Sequence, residues 1–184
     1  MTTNRRYIAL VRGINVGGKN KLPMARLREM CESIGCTDVV TYIQSGNVVL
    51  TSSLAADNLR AALAAAISDG IGLSPEVMVR TDAQMANVIA DSPFQRTDPT
   101  TLHVAFLSAP LDTKAADALH DIAFPPEKFA IKGSEIYLRL PNGMGQSKLA
   151  PVLLRRVPGS ATVRNWRTVT TLHEMSRVRE RRRQ

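Results

Sequence analysis

The sequence predicts an α+β protein, a ferredoxin-like βαββαβ unit followed by a second, degraded ferredoxin-like half packed against it. Three observations carry this expectation. Apolar runs of strand length alternate with amphipathic stretches of helix length, two pairs of those runs are joined by turn-forming residues alone, and the order of elements starts over, incompletely, after residue 81.

Residues 5–12 are short and apolar and read as a strand. Over residues 23–34, Met24, Leu27, Met30, Cys31 and Ile34 fall at helical spacing, with Pro23 suited to a first helical position and Gly35 to a stop. Strands at 39–43 and 48–51 flank Gln44-Ser45-Gly46-Asn47, a hairpin turn in which Gly46 and Asn47 tolerate left-handed backbone. An alanine-rich helix over 55–69 and a strand at 76–80 complete the first round. The second round reads as a helix at 83–90, a strand at 102–107, a helix at 113–121, and a hairpin of 128–131 with 135–140 turning at Gly133-Ser134. Helical segments at 148–156 and 169–179 end it.

Tyr7 to Val11 and Val48 to Leu50 are apolar on both faces, as central strands of such a sheet are. The second face needs a cover, and the other half of the chain is the expected one. Subdomains 1–81 and 82–176 are then one packed body, with a basic tail at 177–184. A chain of 184 residues that is 44% hydrophobic can bury a core of that size. The apolar stretch at 7–11 is too short for a signal-peptide core or a membrane span, so the expectation is a cytoplasmic protein without membrane association. Cys31 and Cys36 have no further Cys or His at zinc-like spacing and read as buried free thiols. No metal or cofactor is expected, and nothing in the residues sets an oligomeric state.

Charge is segregated along the chain. Residues 1–28 hold seven Lys or Arg and no acid, while residues 29–131 hold five bases and thirteen acids. Residues 132–167 hold seven bases and one acid, and residues 168–184 hold five and two. If the basic ends meet in the fold they make one positive face, attractive to anions and weakened by salt. The plainer alternative is a soluble surface with a solvated tail.

Four polar clusters stand outside the apolar pattern. They lie within "RGINVGGKNKLPM", "TYIQSGNVV", "YLRLPNGMGQSKL" and "ATVRNWRTVTTL". Occurring in this order, these words resemble the bacterial family catalogued as domain of unknown function 1697, over residues 5–175. The resemblance implies an α+β, ferredoxin-like protein of the bacterial cytoplasm and brings no activity, cofactor or catalytic residue with it.

In the first cluster Gly17 and Gly18 let backbone amides approach a ligand, Arg12, Lys19 and Lys21 supply positive charge, and Asn15 and Asn20 supply neutral hydrogen-bonding groups. Gly13 to Lys19 has the spacing of a phosphate-cradling loop, but Asn20 replaces the metal-binding Ser or Thr and Leu22-Pro23 delays the helix. A nucleoside triphosphatase is therefore set aside in favour of a generic anion loop or a structural glycine turn. Gln44, Ser45 and Asn47 make a good turn and could also present uncharged groups to a ligand. Asn142 precedes a helix that Ser147 would cap, and Lys148 beside the positive end of that helix favours a bound anion. Arg164, Asn165, Trp166 and Arg167 either anchor the last segment or stack a base and hold phosphate. His103, His120 and His173 show no triad or ligand spacing, and Asp112, Asp117 and Asp121 read as solvated.

The expected function is binding of a phosphorylated ligand, a nucleotide or a nucleic-acid backbone. The alternatives are an enzyme acting on a small anionic substrate and an interaction module without a small ligand. Sequence-specific RNA reading is disfavoured, because Val48, Val49 and Leu50 occupy the strand where stacking aromatics would be needed.

Overall fold

The apolar run behind Arg5-Arg6 becomes β1 (Arg5–Val11), a central strand in a computed structural model that describes residues 4–94 and 96–178. The chain forms two compact units. One holds the residues up to Asn87 together with those from Thr171 on, and the other holds Val88–Thr170.

In the first unit β1 is followed by α1 (Met24–Ser33), β2 (Thr37–Tyr42), β3 (Asn47–Ser52), α2 (Ala56–Ile71) and β4 (Val77–Thr81). The strands form an antiparallel sheet in the order β2-β3-β1-β4. Tyr7, Ala9, Val48 and Leu50 of one face make a core with Leu27 and Cys31 of α1 and with Leu59, Leu63 and Ile67 of α2. The last three recur every four residues, so one stripe of an otherwise alanine-rich helix is buried. Ile8, Leu10, Val49 and Met78, which alternate with the first set, are buried as well. Burial on both faces explains why these strands read as unbroken apolar runs. β2 starts earlier than its apolar residues suggest, and its register shifts between Thr37 and Val40, where Asp38 holds φ 55°.

The second unit contains β5 (Leu102–Leu107), α4 (Thr113–His120), β6 (Lys128–Lys132), β7 (Glu135–Arg139), α5 (Leu149–Arg156) and β8 (Ala161–Asn165). Its sheet runs β6-β7-β5-β8, also antiparallel. The expectation of a degraded second half is thereby corrected, since β8 supplies a fourth strand. It escaped the sequence reading because Ala-Thr-Val-Arg-Asn has no apolar run and buries fully only Thr162. Asp112 is not merely solvated: its Oδ1 accepts the Ala115 N–H at 2.7 Å and caps α4.

A further helix follows each fourth strand, α3 (Asp82–Ala90) after β4 and α6 (Trp166–Arg177) after β8. The two units also close in the same way. Val11 N–H donates to Gly46 O, and Leu107 N–H to Ser134 O, both at 2.8 Å. Arg12 N–H donates to Glu76 O, and Ser108 N–H to Ser160 O, again both at 2.8 Å. They differ in their links: residues 12–23 join β1 to α1 where 108–112 join β5 to α4, while 53–55 join β3 to α2 where 140–148 join β7 to α5. Of the expected basic tail, Arg177 ends α6 and residues 179–184 lie outside the described residues. Among the described residues no helix is long and apolar enough to cross a membrane.

Candidate functional site

The link after β1 is a built loop. Val16 and Lys19 pair as an antiparallel bridge around Gly17-Gly18, whose φ angles of 56° and 75° match a tight hairpin turn with two left-handed positions. Asn15 holds its base: Nδ2–H groups donate to Leu22 O and Gln44 O, and Oδ1 accepts the Leu22 N–H, each at 2.8 Å. Asn20 Nδ2 donates to Gly13 O at 2.9 Å, and the Asn15 N–H donates to Asn20 O at 3.1 Å. Both asparagines sit at positive φ, which their short amides tolerate. The Asn15 amide thus ties the loop to itself and to the neighbouring turn, and Asn20 Nδ2 bonds within the loop, a use that the sequence does not distinguish from ligand contact.

Arg12, Lys19 and Lys21 are exposed on this frame and form no ion pair among the described residues. Beside them an open groove of about 270 Å³ runs between Arg12, Gly13 and Asn20 on one side and Ser74, Pro75 and Glu76 on the other. The carboxylate of Glu76 gives the groove a mixed charge. The hairpin Gly17-Gly18 stands clear of it.

The second motif locks onto the first. Gly46 (φ 74°) lies so close to Val11 and Ile14 that a Cβ there would meet them at 2.9 and 2.8 Å. Only glycine fits both the angle and the space. Gln44 is exposed beside Asn15, its carbonyl already bonded. Asn47, expected in the turn, is instead the first residue of β3 and fully buried. Its Nδ2 donates to Tyr42 O at 3.2 Å and to Ser45 Oγ at 2.8 Å, which ties the hairpin end and keeps its amide from a ligand. Ile43, next to Gln44, is 52% exposed at φ 49°, an angle that a β-branched residue adopts only under strain.

The third cluster answers the puzzle of Lys148 from within the chain. The Glu127 carboxylate sits on the start of α5. It accepts Ser147 Oγ–H at 2.7 Å, the Leu149 N–H at 2.9 Å and the Lys148 N–H at 3.1 Å. Ser147 Oγ in turn accepts the Ala150 N–H at 2.9 Å, as a cap should. Desolvation raises the Glu127 pKa, but these hydrogen bonds and the charge of Lys148 outweigh it and hold the carboxyl below its usual range. The anion that a lysine at a helix start calls for is this side chain. Asn142 and Lys148 are exposed around a position already filled.

In the last cluster Asn165 Oδ1 accepts the Thr168 N–H at 2.8 Å and caps α6. Trp166 is half-buried and Arg167 exposed. Arg164 is largely withdrawn from water, its Nη1 donating to Thr162 Oγ1 at 2.7 Å and Val163 O at 2.9 Å, and burial lowers its pKa to about 10. This word therefore builds a strand-to-helix corner.

One grouping the sequence did not announce is Asp82, His173 and Ser176, brought together in the first unit. Ser176 Oγ bonds Asp82 Oδ1 and lies 2.7 Å from His173 O, and His173 Nδ1 is 3.2 Å from Asp82 Oδ1. The serine faces the carboxylate rather than an imidazole nitrogen and is 1% exposed, so the residues lack the order of a hydrolytic triad. They tie the end of α6 to the start of α3. Among the described residues no group of three His, Cys, Asp or Glu could hold a metal ion. Cys31 and Cys36 are buried free thiols, and burial, with the charges of Cys36 and Glu32, pushes Cys31 up to about 12. Neither is a nucleophile at neutral pH.

The model of a family of proteins of unknown function, DUF1697, matches residues 4–137. The chain belongs to the DUF1697 family. Within the matched span lie the loop at 12–23, the turn at 44–47 and Glu127; Lys148 and the Arg164 corner lie beyond it. The fold of this DUF1697 protein is similar to the structure of the conserved bacterial protein SP0830 from Streptococcus pneumoniae. The TM-score is 0.77 at 27% identity, over 95% of this chain and 100% of the other. No curated protein matches the chain.

Proposed function

We propose that the first unit binds a phosphorylated ligand, a nucleotide or a nucleic-acid backbone, through Arg12, Lys19 and Lys21 on the preformed loop. One internal observation carries this reading. The second unit crosses from strand to helix at the corresponding place in residues 108–112, whereas the first uses residues 12–23 and leaves three cations on them without an ion-pair partner among the described residues. A fold does not need that loop to close, and cations held by a rigid backbone favour an anionic ligand without further ordering. Gln44, exposed at the adjoining turn, is the neutral group placed to join them. We also read both units as ferredoxin-like, which the strand order and the two connecting helices of each sheet support. Buried free thiols are in keeping with a bacterial cytoplasmic protein.

The test is a thermal-unfolding series at low salt with inorganic phosphate, mononucleotides, sugar phosphates and oligonucleotides. A ligand that binds the folded state raises the midpoint. The reading predicts a rise with at least one phosphorylated probe, lost in Lys19→Ala/Lys21→Ala while that variant's own midpoint stays put. No shift with any probe would reject it.

A further inference from the structure

Two exposed aliphatic side chains flank the bond that joins the loop to the turn. Asn15 Nδ2 donates to Gln44 O at 2.8 Å; the residue after Asn15 is Val16, 65% exposed, and the residue before Gln44 is Ile43, 52% exposed. Val16 stands opposite Lys19 in the hairpin bridge. Val16 opens the two-residue Gly17-Gly18 turn, and Ile43 holds a left-handed angle that glycine or asparagine would adopt more readily while half of its surface stays exposed. Single exposed aliphatic residues are ordinary on a protein surface, whereas apolar groups that adjoin one another inside a polar rim mark an interaction site, and the Asn15–Gln44 bond brings the segments that carry these two together.

We propose that Val16 and Ile43 form an apolar platform for a nucleobase, beside the cations that hold its phosphate. The inference rests on the proposed function and sharpens it: the ligand is a nucleotide unit with an accessible base, free or within a single strand, and not a bare phosphate or a sugar phosphate. Charge complementarity decides for the phosphate, and the aliphatic pair offers a flat heterocycle a contact that water does not. A duplex, whose bases are stacked away, gives this platform nothing.

Affinities at low salt for pyrophosphate, ribose 5-phosphate, a purine mononucleotide, a single-stranded oligonucleotide and its duplex test this in the wild type, Val16→Ser and Ile43→Gly. The wild type is expected to prefer the base-bearing probes over pyrophosphate by about tenfold. Both variants lose that preference and keep their affinity for pyrophosphate. A mononucleotide that competes with the single strand on equal terms identifies a free nucleotide as the source, and preference for the strand identifies nucleic acid; either supports the platform. Base preference retained in both variants, or a duplex bound as well as the single strand, overturns the inference and leaves the phosphate reading standing. Failure of every probe to bind the wild type overturns both.

Discussion

The two units close one strand crossing with the same pair of backbone hydrogen bonds, and then elaborate opposite links. The first extends the connection after its first strand and the second extends the one after its third. In the second unit the added residues lead to a helix start that Glu127 neutralises from inside. In the first they carry Arg12, Lys19 and Lys21 with no acidic partner among the described residues. The comparison separates what the fold requires from what is added to it. A cationic loop whose charge is answered within the chain is structural, and one whose charge is left open is where a ligand is expected.

Substitutions at matched places sharpen the contrast. The largest effect is expected at the hairpin ends. Gly46→Ala forces a side chain into a left-handed position against Val11 and Ile14 and should cost about 3 kcal/mol. Gly133→Ala, at φ 58° with only Glu135 Oε2 at 4.0 Å, should cost about 1 kcal/mol. Urea unfolding of the two variants checks this, and equal losses would mean that the first turn is not locked by its loop.

Glu127→Gln comes next, with a loss of about 1 kcal/mol at neutral pH from the weakened cap of α5. Because the folded state holds this carboxyl below its usual pKa, its contribution is present above the ordinary carboxylate range. It disappears as pH falls through the lowered value. Wild-type and Gln stability curves should therefore converge in acid, and a constant gap down to low pH would show that charge at Glu127 is not what stabilises the helix. Smallest, and opposite in sign, is Ile43→Gly: relief of the left-handed angle should raise stability by up to about 1 kcal/mol, offset in part by the freedom that glycine gives the unfolded chain.

Most of this fold was legible in the sequence, because burial on both faces of β1 and β3 leaves apolar runs and because α2 repeats Leu59, Leu63 and Ile67 on one stripe. β8 was not, since an edge strand with one fully buried residue leaves no apolar signature. At the candidate site the cations were visible as charges. Their surroundings were not: an asparagine that pins its own loop, as Asn15 does, looks the same in sequence as one that awaits a ligand. Glu127 could not be paired with the start of α5 by reading along the chain, because the hydrogen bonds that join it to Ser147 and to the Lys148 N–H reach across 20 and 21 residues. Asn47 was misplaced because residues at a hairpin end and residues in its turn share one vocabulary.

The most direct test of the account is the salt dependence of single-stranded oligonucleotide affinity, measured for the wild type, for Arg12→Ala/Lys19→Ala/Lys21→Ala and for Lys148→Ala. Each lost phosphate contact should lower the slope of log affinity against log salt by about 0.7. The account predicts a drop of about 2 for the triple variant and none for Lys148→Ala. Equal slopes in all three proteins, or a drop in Lys148→Ala as large as that in the triple variant, would contradict it.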